Sequence, residues 1–207
     1  MNIAIINYSI GNTKSIANAL ESIGCKTTFT NSESELAKAD GLILSGVGNF
    51  DEGIQNIRRM GLDKTLNNLV HSEKKPILGI CLGLQLMTLG SDESEYPGLG
   101  WLQCRTEKLP KSNSTKIPNI GWSTVERDAD DRLTKNLTSE SLLYFTHSYA
   151  ILDAPRDNVT IWSRHGERFV AGIHLGNVYG VQFHPEKSYE AGTKLLKNFV
   201  ELACERD

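Results

Sequence analysis

Cysteine is scarce and scattered in this sequence. Cys25, Cys81, Cys104 and Cys204 are its four cysteines, separated by wide, irregular gaps with no C-x-x-C pair. A zinc site needs paired ligands at short spacing, and a small secreted scaffold is denser in cysteine. The expectation is therefore four free thiols in a reducing cytoplasm, with no metal. Positive charge is not in excess either: 22 Lys and Arg stand against 25 Asp and Glu, for a net charge of −3. A nucleic-acid module carries a basic patch and a high pI, and an anionic membrane surface calls for clustered Lys and Arg. The balance argues against both partners. Long apolar runs are missing, and nothing approaches the ~18 residues of a membrane span. Residues 1–11 lack a basic segment and hold one short apolar run broken at Asn7, so they do not read as a signal peptide. There is no repeat, no low-complexity tract and no linker rich in Pro, Gly or Ser, so residues 1–207 read as one domain. The N-x-[ST] sequons at Asn113, Asn136 and Asn158 carry no meaning in a cytoplasmic chain.

What is present is enough for a core. With 207 residues and 39% apolar side chains, a chain of this size buries about 70% of its unfolded surface and needs no disulfide staple. Ile3–Ile6 reads as a buried strand. Ile16, Ala19, Leu20 and Ile23 then recur at helical spacing, with Gly24 as a stop. Thr27–Phe29 is a weak strand, Ser32–Ala37 a short helix, and Gly41–Leu44 a third strand ended by Ser45-Gly46-Val47-Gly48. Ile54, Ile57, Leu62, Leu66 and Leu69 mark one or two helices. Pro76–Ile80 is a fourth strand, followed by a helix over Leu82–Leu89. Such alternation predicts an α/β fold with a mainly parallel sheet covered on both faces. From about Leu99 to Thr146 the pattern turns to short alternating stretches and predicts a small antiparallel sheet. Val170–Ile173 and Val178–Phe183 read as a hairpin around Leu175-Gly176-Asn177. A last helix, Tyr189–Cys204, puts Ala191, Leu195, Leu196, Phe199, Val200 and Ala203 on one face.

Gly79-Ile80-Cys81-Leu82-Gly83 falls between a predicted strand and a predicted helix. In a G-x-S-x-G elbow, a sharp strand-to-helix turn exposes the nucleophile above the sheet, and the glycines leave room for the turn. Cysteine can replace serine there, and the N–H after it can bind an oxyanion. Its general base needs an orienting partner on the second ring nitrogen. His184-Pro185-Glu186 follows a predicted strand, and residues i and i+2 of an extended chain share a face. His184 and Glu186 are therefore the candidate base and orienter. His147 lacks a nearby carboxylate in sequence and reads as structural or pocket-lining. His71, His165 and His174 have bland surface readings. Cys25, Cys104 and Cys204 read as buried small hydrophobes, and Trp101, Trp122 and Trp162 as packing or surface anchors.

Together, Gly79–Gln85 and His184–Glu186, with Gly46-Val47-Gly48 after the third strand, resemble the triad (class I) glutamine amidotransferases over essentially the whole chain. The resemblance implies a flavodoxin-like mixed sheet, no cofactor and a Cys81–His184–Glu186 triad. It implies that Cys81 attacks the glutamine carboxamide. The N–H groups of Leu82 and of Gly46, Val47 and Gly48 would stabilise the oxyanion. Gln85 would bind the substrate's amino-acid end, and His147, Ser148 and Tyr149 would line its pocket. Within that family, five stretches resemble the amidotransferase subunits of imidazole glycerol phosphate synthases. They are Asn7–Asn12, Gly46–Phe50, Lys116–Trp122, Tyr144–Tyr149 and Phe183–Ser188. This second resemblance implies a heterodimer with a (βα)₈-barrel cyclase of histidine biosynthesis. The cyclase would receive the ammonia, and it and its ligand would switch on hydrolysis.

Three departures from those subunits stand out. Ser45 replaces a usual proline, Asn119-Ile120 a usual histidine-methionine pair, and Ser123 a usual asparagine. They keep open a paralogous subunit that feeds ammonia to a sugar-amidating enzyme of surface-polysaccharide synthesis. A free-standing cysteine hydrolase and a non-catalytic binding subunit are the alternatives from other classes. Gln85, the glycine segment and the complete triad argue against both.

Overall fold

The computed structural model describes residues 1–11, 13–111, 115–128 and 130–205. Asn12 and the sequon residue Asn113 lie outside them. The chain opens with β1 (Asn2–Ile6), α1 (Thr13–Ser22), β2 (Lys26–Thr30), α2 (Glu33–Lys38) and β3 (Gly41–Gly46). Then come α3 (Phe50–Arg59), α4 (Leu62–Asn67), β4 (Ile77–Cys81) and α5 (Leu82–Leu86). The short strands β5 (Glu107–Lys108), β6 (Asn119–Ser123), β7 (Glu126–Arg127), β8 (Leu143–His147) and β9 (Tyr149–Ala150) follow. The chain ends with β10 (Val159–His165), β11 (Glu167–Leu175), β12 (Val178–Val181) and α6 (Tyr189–Cys204).

Eight strands form one sheet in the order β2-β1-β3-β4-β12-β11-β10-β7. Pairings from β2 through β12 are parallel, and those from β12 to β7 are antiparallel. The parallel part has the flavodoxin-like order, in which ligands bind beyond the carboxyl ends of the strands. Successive strand residues face opposite sides, and β1, β3 and β4 are buried on both. Ala4, Ile6, Leu42, Leu44 and Ile77 pack with α2–α5. Ile3, Ile5, Ile43, Leu78 and Ile80 pack with Ile16 and Leu20 of α1 and Leu195, Leu196 and Phe199 of α6. Local chemistry sets the helix ends. Asn49 Oδ1 accepts from Glu52 N at 3.1 Å, and α3 carries Asp51 and Glu52 in its first turn and Arg58 and Arg59 in its last, in line with its dipole. Gly61, at φ +69°, separates α3 from α4.

Several expectations need correction. The middle of the chain forms two separate antiparallel ribbons, β5–β9 and β6–β8, rather than one small sheet, and β7 joins the main sheet instead. β10 was not legible as a strand, because its Val-Thr-Ile-Trp-Ser-Arg-His sequence mixes polar residues into a partly exposed strand. Its hairpin with β11 turns at Gly166, φ +73°. The expected β11–β12 hairpin is present, with Gly176 at φ +63°. Helix α5 stops at Leu86, short of Leu89. Cys25 and Cys104 are buried thiols, but Cys204 is exposed, because Ala203 takes the inward position in the last turn of α6. No helix among the described residues is long and apolar enough to cross a membrane.

His174 is not bland. Its Nδ1 lies 2.7 Å from Asp131 Oδ2, its Nε2 lies 2.7 Å from Gly176 O, and its ring stacks on Tyr179. Asp131 also accepts from Leu133 N and Thr134 N. Burial pushes the Asp131 carboxyl up, but His174 and the two N–H groups outweigh it and hold the pKa below the usual carboxylate range. Burial pushes His174 down, but Asp131 outweighs it, and the imidazole pKa is raised. A depressed acid contributes stability that is lost as pH falls through its folded pKa. A raised base contributes stability that is lost as pH rises through its folded pKa. Asp131→Ala should therefore cost about 2–4 kcal/mol near pH 6, since it strands the buried donors of a charged acceptor. The loss, measured by urea unfolding, should shrink once the solution is acid enough to protonate Asp131 and again once it is basic enough to deprotonate His174. A pH-independent loss would contradict this account.

Candidate active site

β4 runs directly into α5 with no connecting residue, and the turn falls on Cys81 at φ 52°, ψ −110°. A side-chain-bearing residue held there costs about 1–3 kcal/mol, sustained by the surrounding packing. The flanking glycines show how tight that packing is. A Cβ on Gly79 would lie 2.7 Å from Met87 Sδ and 2.8 Å from Leu84 N. One on Gly83 would lie 1.7 Å from the carbonyl oxygen of Leu44 in β3. Both glycines of the G-x-C-x-G motif are thus needed for close backbone approach, as expected of a nucleophile elbow.

β12 lies beside β4 in parallel register, with Val181 opposite Ile80. The chain leaving β12 therefore brings Gln182, Phe183 and His184 to the level of Cys81. His184 Nδ1 lies 2.8 Å from Glu186 Oε1, and their side chains are only 3% and 2% exposed. The pair forms differently from expectation. Pro185–Lys187 is a 3₁₀ turn rather than extended chain, and the turn folds the carboxylate back onto the ring. Burial pushes the His184 imidazolium down, but the neighbouring Cys81 sulfur and Glu186 outweigh it and raise the pKa to about 9. Nε2 is buried without a hydrogen bond among the described residues. The Cys81 sulfur receives a weak hydrogen bond from Gln182 Nε2 at 3.6 Å and lies 3.8 Å from Thr146 O.

A cavity of about 450 Å³ opens over Cys81. Of the residues expected to bind substrate, Val47, Gly48, Leu82, Gln85, His147, Ser148 and Tyr149 line it, while Gly46 does not. Gly46 lies behind the wall, where a Cβ would sit 2.0 Å from the Tyr8 hydroxyl. Gln85 donates to Tyr149 O at 2.9 Å and to Gln182 Oε1 at 3.1 Å, so its amide nitrogen braces the pocket. His147 lies 2.9 Å from Tyr149 O through Nδ1 and 3.1 Å from Asn119 Nδ2 through Nε2. Burial lowers its pKa to about 4. It is therefore neutral, with both nitrogens engaged, which suits a lining role and not that of a base. Two residues escaped the sequence reading. Gln182, fully buried, bridges Cys81 and Gln85. Glu93 places a carboxylate in the cavity wall, held by Phe50 N at 2.8 Å. Only its position in an acidic stretch, Asp92–Glu95, could have hinted at it.

An α/β sheet, a strained cysteine elbow and a buried His–Glu pair just beyond the adjoining strand point to one class of protein. The chain belongs to the class-I glutamine amidotransferase family, whose model matches residues 4–203. It is 42% identical to the imidazole glycerol phosphate synthase subunit HisH 2 of Methanococcus maripaludis, over 97% of this chain and 100% of that one. It is 38% identical to the HisH 2 subunit of Pseudomonas aeruginosa, over 97% and 99%. Against the HisH subunit of Listeria innocua it is 42% identical, over 97% and 95%. Among solved structures, PurLQS from Thermotoga maritima superposes with a TM-score of 0.75 at 19% identity, covering 97% of this chain and 98% of that one. A glutamine amidotransferase from the same organism gives 0.67 at 16%, covering 100% and 99%. These two likenesses concern the fold.

Proposed function

We propose that this chain is the glutaminase subunit of an imidazole glycerol phosphate synthase. It would release ammonia from glutamine for a cyclase partner that makes imidazole glycerol phosphate and aminoimidazole carboxamide ribotide in histidine biosynthesis. The observation that carries this reading is a cysteine at a strained elbow, open to a 450 Å³ cavity, with the buried His184–Glu186 pair set beside its sulfur. It is joined by full-length relatives of that name.

The geometry supports a thioester route. The Cys81 sulfur adds to the carboxamide carbon, and the oxyanion takes N–H donors from Leu82 and from the Val47–Gly48 wall. His184, protonated up to about pH 9, gives its proton to the departing ammonia. The neutral ring then takes a proton from the water that releases glutamate. Glu186 holds Nδ1–H, so that Nε2 faces the sulfur. Glu93 is the one carboxylate of the cavity wall among the described residues and suits the ammonium group of the substrate. Glu93→Gln should raise KM for glutamine about 10- to 100-fold, the value of a charged hydrogen bond, with a smaller change in kcat. Steady-state glutamate release measures this, and an unchanged KM removes Glu93 from the binding site.

A partner face is also supported. Val47, Ile120, Trp122 and Tyr189 are all exposed apolar or aromatic residues, 43%, 62%, 49% and 76% accessible. Trp122 stacks on Tyr189 and packs edge-on against Tyr144. Large aromatics left in water mark a docking surface, and we assign it to a (βα)₈-barrel cyclase, in a cytoplasmic heterodimer. The test is glutamate release by this chain alone, with the histidine-pathway cyclase, and with cyclase plus its ribonucleotide. Strong activation only in the full mixture is expected. No activation, from a chain whose Cys81 still reacts with an electrophilic glutamine analogue, would overturn the histidine-pathway assignment. It would point to a sugar-amidating partner.

A further inference from the structure

Behind the triad lies a second, much smaller cavity of about 10 Å³, lined by Ser45, Gly46, Ile16, Ile80, His184 and Glu186. Strand alternation explains why Ser45 looks into it. Leu42 and Leu44 of β3 pack toward α3–α5, whereas Ile43 packs toward α1 and α6. Ser45 shares the side of Ile43 and pairs in register with Ile80 of β4. Two oxygens among the residues of this cavity are buried and have no hydrogen bond among the described residues: Ser45 Oγ and Glu186 Oε2. Glu186 Oε1 is satisfied by His184, so the carboxylate is held on one side only. A buried, unsatisfied carboxylate oxygen is costly. A hydroxyl is the natural remedy, because it can donate and accept. The cavity reaches the lower end of the roughly 10–15 Å³ that a single water needs, and Ser45 Oγ and Glu186 Oε2 are polar partners for it.

We propose that Ser45 is a positioning residue for Glu186, holding its second carboxylate oxygen through one water lodged between β3 and the Pro185–Lys187 turn. This rests on the reading of Glu186 as the orienter of His184. Fixing both oxygens fixes the plane of the carboxylate, and with it the direction of His184 Nε2. Ser45 is tied at its backbone as well, since its carbonyl oxygen accepts from the Tyr8 hydroxyl at 2.9 Å. The residue after it, Gly46, leads into the Val47–Gly48 wall. One serine thus couples the oxyanion side of the cavity to the base.

The test is a double-mutant cycle on the full chain, read as kcat and KM for glutamate release where the parent is fastest. Ser45→Ala should lower kcat about tenfold, the loss of one hydrogen bond to a charged group, with KM within about twofold. Ser45→Thr, which keeps the hydroxyl, should recover most of the rate. In a Glu186→Gln background, Ser45→Ala should cost nothing further, because residues that act through one another do not add. Full activity of Ser45→Ala, an equal fold-loss in both backgrounds, or equal damage from alanine and threonine would each overturn the proposal. If Glu186→Gln alone is harmless, the triad reading fails first, and the role of Ser45 fails with it. If Glu186→Gln is severe and the losses add, only the role of Ser45 fails.

Discussion

Cys81→Ala should reduce glutamine hydrolysis by about four orders of magnitude or more, since removal of a covalent nucleophile leaves only binding and oxyanion stabilisation. The same protein should still support synthesis by its complex when ammonia is supplied, because the substitution touches nothing on the exposed Ile120–Trp122–Tyr189 face. Alanine also relieves no backbone strain: φ of 52° is unfavourable for any residue with a Cβ. Stability should therefore change little, and the loss is chemical. An electrophilic glutamine analogue should label the parent at Cys81 and leave Cys25, Cys104 and Cys204 intact. If ammonia-dependent synthesis fell along with hydrolysis, the division of labour between this chain and its partner would be wrong.

Gly83→Ala should do the larger damage to the fold. Its Cβ would lie 1.7 Å from Leu44 O and 2.5 Å from Leu44 C, both backbone atoms of the central strand. Neither can move without displacing β3 from β4. A loss beyond about 4–5 kcal/mol is exceptional for one substitution and here has a named cause. At about 2–4 °C per kcal/mol for a chain of this size, the thermal midpoint should drop by 10 °C or more, or no folded protein should be recovered. Gly176→Ala is the informative contrast. It also sits at positive φ, +63°, but a Cβ there meets nothing within 4 Å. Its cost should be only about 1 kcal/mol, the left-handed backbone term alone. Equal losses at the two positions would mean that steric closure of the elbow is not what Gly83 provides.

The parts of this architecture that were legible in the sequence are those written in short-range pattern. The buried runs Ile3–Ile6, Gly41–Leu44 and Pro76–Ile80 are apolar because parallel strands are covered on both faces, and each became a central strand. The elbow was legible because its glycines are dictated by contacts within a few residues and one neighbouring strand. β10 was not, because its faces are unequally covered and its residues are chosen by partners on β7 and β11. Glu93 and Gln182 were invisible for a related reason. Each is defined by what the fold brings to it, the α3 N-terminus for one and Cys81 with Gln85 for the other. The Glu186 arrangement was half legible. The spacing was right, but the geometry came from a 3₁₀ turn begun by Pro185, not from an extended chain.

The seam between β4 and β12 has a kinetic meaning. Ile77 pairs with Val178 and Ile80 with Val181, so the two strands that lead to Cys81 and His184 meet across about a hundred residues of chain, the kind of closure that folds late. The first four strands and their helices pair with near neighbours in sequence and can form ahead of it. Reactivity of Cys81 toward a glutamine analogue is then a clock for the last event of folding. During refolding it should lag behind the helical signal, and a chain interrupted before β12 would hold Cys81 without His184.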